Sequence, residues 1–419
     1  MKDHCKHCSL GRRDFVRIAF GGAVAGALAP RFAFTQDAVA AKAKSVILLW
    51  MQGAASQFET WDPKPGTETG GPTKAIDTGK GYSIAAGLER VAKLAGKYSV
   101  IRTLNSNDPN HETARYLLHT GHRRIETADY PHLGSLISSE LGMKAEGLPG
   151  CVTLGGDSGI GSGYLPPDTA PFFVEKLDKP TEDIALAPGT TKWRLDDREA
   201  LLKAQNDAFR KDHDDRKVWE HQKAGERALA LIRSPHIKAF DVDKEPDETK
   251  KLYGTTPFGR GCLLARRLVQ AGTRFVEVSL GDWDTHADNF GRTGKLVEQL
   301  DPGFAALLTD LDRQSMLADT LVICLSEFGR TPRVNLANGR DHFSKAWPCV
   351  LAGGGIAGGR VVGKTNADGT AVSDRPVPVG DLHATIYKQL GIDPEKKFQT
   401  NFGRPVKVLD SGTPIKELL

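Results

Sequence analysis

From about residue 42 onward, apolar runs of strand length alternate with segments whose apolar residues recur at three- and four-residue spacing. The runs are SVILLWM (45–51), SVIRTL (99–104), CVTLGG (151–156), TRFVEVSL (273–280), TLVICLS (320–326) and WPCVLAG (347–353). Between them HETARYLLHTG, PHLGSLISSELG, GRGCLLARRLVQAG, VEQLDPGFAALLTDLDRQ and GDLHATIYKQLG have helical period. Continuous apolar strands are buried on both faces, so the pattern predicts an α/β fold, a mainly parallel sheet sandwiched by helices. Ligands of such sheets sit at the carboxyl ends of the strands, where MQGAAS, GDWDTH and SEFGRT all fall. One block, 192–239, is charged, helical in period and free of strand signals, which predicts an insertion of two or three amphipathic helices serving as a lid or cap. The segment 70–81 is expected to be a surface loop, and 42–419 a single domain.

Composition adds limits. A net charge of +4 over 419 residues is small, and six Lys/Arg against three Asp/Glu within residues 1–41 account for most of it, which argues against a nucleic-acid binder held by bulk charge. The start, GRRDFVR followed by a Gly/Ala-rich apolar stretch, resembles a twin-arginine export signal with Arg12 and Arg13 as its signature and cleavage near Ala41. That implies the twin-arginine machinery as a partner, export in the folded state to the periplasm or beyond, and no stable membrane span once the signal is removed. Cys5 and Cys8 are expected to leave with the signal. Cys151, Cys262, Cys324 and Cys349 read as buried thiols, and folding in a reducing compartment makes obligatory disulfides unexpected.

Four polar clusters follow the strands or open helices. Asp282, Asp284, His286 and Asn289 come directly after TRFVEVSL; acid and imidazole on one turn suit a divalent cation such as zinc or manganese, although Asp284 or Thr285 would equally cap a helix start. Glu327 emerges from the TLVICLS strand with Arg330 behind it, and Asp341 and His342 lead into WPCVLAG; a surface pair of Glu327 with Arg330 is the plainer alternative. His111, Thr113 and Arg115 stand at a helix start, where free amides and a planar guanidinium suit an anion. Ser56, Gln57 and Glu59 follow the first strand and are candidates for substrate binding together with Asn289, Arg330 and Asp341. His119, His122, His132 and His383 read as packing or surface histidines.

The order of GRRDF, QGAASQFETWDPKPG, HETARYLLHTGH, GDWDTHADN, SEFGRTP, GRDHF and AGGGIAGGRVVGKT resembles the exported domain of unknown function 1501 family, a branch of the alkaline-phosphatase-like superfamily that includes sulfatases and phosphomutases. The resemblance places His111 at the nucleophile position, Arg115 on the sulfatase arginine, Glu327 and Phe328 on the metal-binding dipeptide of the SDHG stretch, His342 on the late histidine, and Asp284 or Asp282 with His286 on the acid/His pair. The chain departs from that pattern at three points. Gln52 stands where the first strand would deliver an acid, Phe328 has no donor for a metal, and His111 replaces a Cys, Ser or Thr. What survives is a single-metal site of Asp284, His286 and His342, with Glu327 as a further candidate.

The resemblance implies an exported, metal-dependent hydrolase of sulfate or phosphate esters using zinc, manganese or calcium, with His111 or Thr113 as nucleophile or base and a small anionic ester or sulfated glycan as substrate. The alternative is a catalytically inactive envelope protein that binds a sulfated glycan or a protein partner through the same cleft. A hydride-transfer enzyme is disfavoured, because no G-x-G-x-x-G follows the first strand. The metal reading requires His286 and His342 to meet beside Asp284.

Overall fold

The computed structural model describes residues 41–419 apart from 183, 187, 188 and 214. The export signal and Cys5/Cys8 therefore lie outside the described residues. No helix among the described residues is long and apolar enough to cross a membrane.

The centre is a nine-stranded sheet. Its strands are β1 (Ser45–Met51), β2 (Tyr98–Asn105), β3 (Cys151–Leu154), β4 (Phe172–Val174), β5 (Phe275–Leu280), β6 (Thr320–Leu325), β7 (Trp347–Ala352), β8 (Val361–Val362) and β9 (Val377–Pro378). The order is β8-β2-β7-β6-β1-β5-β3-β4, with β9 also on β2, and only β7 runs antiparallel to its neighbours β2 and β6. The mainly parallel α/β architecture expected from the apolar runs is thus present, and all six runs are strands.

The reason lies in side-chain alternation. Every residue of β1 is buried. Ile47, Leu49 and Met51 enter the core on one face of the sheet and Val46, Leu48 and Trp50 the core on the other, as a period of two requires when both faces are covered. The principal helices are α1 (His111–Thr120), α2 (Leu133–Leu141), α3 (Lys192–Asp212), α4 (Arg216–Arg233), α5 (Pro257–Ala271), α6 (Asn289–Arg313) and α7 (Val379–Leu390). Start and stop signals are chemical: Asn110 caps α1 by accepting from the amides of Glu112 and Thr113, and Gly121 ends it in the left-handed conformation at φ 79°.

The charged block forms α3 and α4. None of the 21 residues of α3 is buried. Helix α4 is tied through Arg227, whose guanidinium donates to the carbonyls of Pro167 and Ala170 at 3.1 and 2.7 Å, just ahead of edge strand β4. This attachment is on the far edge of the sheet from β2 and β7. The four cysteines read as packing thiols are buried and free.

Candidate metal centre

Four parallel strands deliver the polar clusters to one edge. After β1 the chain turns through Gly53 at φ 106°, and a Cβ there would lie 2.6 Å from the Asp284 amide, so glycine is required by both conformation and contact. After β5, residues 281–288 leave the sheet with Asp282 and Asp288 in left-handed conformations (φ 69° and 47°), which aspartate tolerates through local polar contacts. After β6, a short antiparallel ladder pairs Gly329–Arg330 with His342–Phe343, placing His342 opposite Arg330. That ladder folds the 331–341 loop back and explains how Glu327 and His342 come to share a site.

The side chains converge on Asp284. Its Oδ1 lies 3.1 Å from His286 Nε2, 3.5 Å from His111 Nε2 and 3.7 Å from His342 Nε2. His342 Nε2 lies 3.1 Å from His111 Nε2 and 2.9 Å from His286 Nε2. An ion with ligands about 2.0–2.1 Å away spaces neighbouring donors about 2.9–3.4 Å apart, tetrahedral or octahedral; the measured separations scatter around that range.

Hydrogen bonds behind the rings settle which nitrogens face inward. His342 Nδ1 is 2.7 Å from the Pro109 carbonyl, which only accepts, so Nδ1 carries the hydrogen. His111 Nδ1 donates to Glu327 Oε1 at 2.8 Å and His286 Nδ1 to Asp341 Oδ1 at 2.8 Å. Each ring in this tautomer directs Nε2 into the cluster, where His342 Nε2 faces both His111 Nε2 and His286 Nε2, a spacing that a cation bound by His342 would relieve. Acceptors behind the rings are also what orients ligating histidines. His111, Asp284 and His342 form a compact donor set that fits a divalent ion, with His286 beside Asp284 and His342.

The remaining predicted residues divide by burial. Glu327 is buried, accepts from the Gly53 amide at 2.9 Å through the same Oε1 that holds His111, and leaves Oε2 without a partner. Arg330, fully buried, donates to Asp284 Oδ1 and to the carbonyls of Gly53 and Ala54, and Gln57 brackets it by accepting from its amide and donating to its carbonyl. Glu59 binds Arg340 at 2.9 Å and Asn289 at 2.9 Å, and Asn289 accepts from Thr285. Ser56, Gln57, Glu59, Asn289 and Arg330 are all buried beneath the cluster, so the structure does not present them to a substrate as expected. Thr113 donates to Asp108 Oδ1 at 2.7 Å, and Asp282 contributes only its carbonyl, to Arg292. Arg115 is half-buried on α1.

Electrostatics follow from these contacts. Burial alone would raise the Asp284 carboxyl, but the Arg330 hydrogen bond and charge outweigh it and hold it below the usual value. The hydrogen bond from His286 holds Asp341 low. Burial pushes His342 below the usual imidazole value, favouring the neutral ring that a metal needs. Sequence reasoning missed the Pro109 carbonyl, Asn335, which donates to Asp341 at 3.2 Å, and Phe328, whose ring lies 4.8 Å from both His111 and His342 as their floor. No sequence signal marks a carbonyl or a loop amide; Phe328 was visible only as a residue with no metal donor.

The family model for a protein of unknown function, DUF1501, matches residues 43–419. The chain belongs to that family. No curated protein matches it. Among solved structures, the chain is similar to PsFucS1 sulfatase from Pseudoalteromonas sp. (12% identity, 85% of this chain and 69% of that chain, TM-score 0.43). It is similar also to the phosphonate monoester hydrolase of Agrobacterium radiobacter (14%, 90% and 77%, TM-score 0.38) and to the lipoteichoic acid synthase LtaP from Listeria monocytogenes (9%, 88% and 77%, TM-score 0.40). At these values the likenesses say nothing of the DUF1501 chain's site, which rests on its own residues.

Proposed function

We propose that the chain is an exported hydrolase of sulfate or phosphate esters that works with one divalent transition-metal ion. The observation that carries the reading is the compact set of His111 Nε2, His342 Nε2 and the Asp284 carboxylate, with His286 Nε2 3.1 Å from Asp284 and each ring fixed by an acceptor on its Nδ1. Three imidazoles with one carboxylate suit zinc or another borderline ion, whereas calcium takes mainly oxygen ligands, so calcium drops out of the initial set. His111 serves as a ligand in this reading, and Glu327 as the carboxylate that orients it.

Asp284 and His286 have side chains 47% and 45% exposed, so the donor set opens to solvent on one side, as a catalytic rather than a closed structural site does. When bound, the ion supplies Lewis acidity toward an ester oxygen and lowers the pKa of water at the open position. Arg330 keeps Asp284 ionised and in place. Arg115 is the remaining candidate to clamp the anion, because Asn110 already occupies the Glu112 and Thr113 amides that open α1.

The alternative, an inactive envelope protein that holds a sulfated glycan or a partner, gains from one observation: among the described residues no hydroxyl or thiol hydrogen-bonds to a cluster side chain, so any hydrolysis depends on water. Metal analysis of purified protein and turnover of aryl sulfates and aryl phosphates test both. The expected result is one ion per chain, turnover of at least one ester, and loss of both in His286→Ala. An ion without turnover favours the alternative; less than one ion per chain, unchanged by His286→Ala, sinks the metal-dependent hydrolase.

A further inference from the structure

A cleft of about 650 Å³ lies away from the cluster, between the carboxyl end of α1, the start of α7 and the hairpin of Lys397–Gln399 with Pro405–Lys407. That volume is in the range of small-molecule sites, about 300–1,000 Å³. Its charge is one-sided: Arg123, Lys397, Arg404 and Lys407 line it against a single acid, Asp410. Lys407 is offset by Glu395 at 2.6 Å, and Asp410 is engaged by His122 Nδ1 at 3.2 Å. Arg123, Lys397 and Arg404 have no ion pair among the described residues; the Arg404 guanidinium donates to the neutral Thr127 hydroxyl, at 2.9 Å. Gly380 brings the positive end of the α7 dipole to the same wall.

The floor is of another kind. Tyr130, stacked on His122 with ring centroids 3.8 Å apart, lies there with Leu117 and Val406. Apolar floor and cationic rim together match a ligand with a flat C–H face and oxyanion substituents. We infer that this cleft is a second binding site, for a sugar chain bearing sulfate or phosphate groups. Helix α1 joins it to the cluster, since His111 opens the helix and Gly121 closes it, about 15 Å away at 1.5 Å per residue. One anionic chain can span both places, so the cleft holds the chain while a distant group reaches the cluster. The choice of a sugar chain rests on the proposed hydrolase reading; the anion site itself rests on the cleft.

Isothermal titration of the whole protein, stripped of metal by a chelator, isolates the cleft. The probes are a sulfated hexasaccharide, a phosphorylated one and their uncharged parent. Expected are binding of one charged probe, which identifies the source of the anion, little binding of the parent, and at least tenfold weaker binding in Arg123→Ala/Arg404→Ala with an unchanged melting temperature. Arg198→Ala/Lys203→Ala on exposed α3 removes the same charge elsewhere and should change affinity less than twofold. Equal losses in both double variants, no binding of either charged probe, or tighter binding of a single-stranded oligonucleotide would overturn the inference. Metal content, measured separately, reports on the cluster, so failure of one proposal is distinguishable from failure of the other.

Discussion

Helix α1 carries a histidine into each of two clusters that look alike on paper. His111 at its start joins Asp284 and His342, with His286 3.1 Å from Asp284; His119, two turns on, joins His132 and Glu277 in the interior, all fully buried. The difference is in the protons. In the inner cluster His119 Nδ1 donates to the Arg115 carbonyl at 2.9 Å and its Nε2 meets Glu277 Oε2 at 3.1 Å. His132 has the opposite tautomer, because its Nδ1 accepts from the Gly134 amide at 3.0 Å and Nε2 must carry the hydrogen. That Nε2 stands 3.4 Å from Glu277, too poorly aligned for a full hydrogen bond yet directed at the negative charge.

Burial by itself would lower His119, but the Glu277 charge and hydrogen bond outweigh it and raise its pKa, so a protonated His119 faces an ionised Glu277. The inner cluster is complete with its own protons. The outer one turns three ring nitrogens inward, with the Nδ1 hydrogens committed to acceptors outside it. Histidine count and spacing therefore say little about metal binding; the acceptor behind each ring says much.

The comparison can be broken in several ways. The largest effect is expected from Glu277→Ala, which removes the buried partner of both His119 and His132 and should cost about 3–5 kcal/mol in urea denaturation while metal content stays the same. A fall in bound metal with this variant would show that the inner cluster is a ligand set after all. His342→Ala should weaken the outer site at least a hundredfold in chelator competition, roughly the share of one ligand in an ion bound by about 10–16 kcal/mol, with the metal-free protein as stable as before to within about 1 kcal/mol. Asp341→Asn keeps the shape but weakens the acceptor behind His286, and should lower metal affinity about 10- to 100-fold. An unchanged affinity would mean that the ring is oriented by other contacts.

The mildest probe is pH. Glu277 is depressed: burial opposes it, but His119 prevails, so its stabilisation is full above the ordinary value of 4.5 and is lost as pH falls below it, where only the unfolded chain takes up the proton. His119 is raised, so its contribution is full below 6.5 and lost as pH rises. His383, pushed down to about 4 by burial, costs stability between 6.5 and 4, because the unfolded chain protonates first. Stability curves should show slopes of at most about 1.4 kcal/mol per pH unit for each group. Glu277→Ala should flatten the curve below 4.5 and above 6.5 while leaving the His383 limb in between.

Much of this was legible in advance, and for a physical reason. Strands buried on both faces must be apolar throughout, so β1, β2, β3, β5, β6 and β7 announce themselves over a few residues, and their carboxyl ends point to GDWDTH and SEFGRT. Asp284, His286 and His342 were named from those positions. Glu277, inside the run TRFVEVSL, was legible only as an anomaly in an apolar strand, and its partners His119 and His132 read as packing residues.

What the sequence determined by itself is whatever depends on neighbours along the chain: the periods, the helix caps, the order of the polar clusters after their strands. The tertiary structure decided which donors and acceptors meet. It brought His111 Nε2 to 3.1 Å from His342 Nε2, sent Arg330 inward to Asp284, and set each imidazole's tautomer through groups as distant as Pro109 and Glu327. Hydrogen-bond direction is fixed by atoms brought together across hundreds of residues, and no local pattern records where they will be.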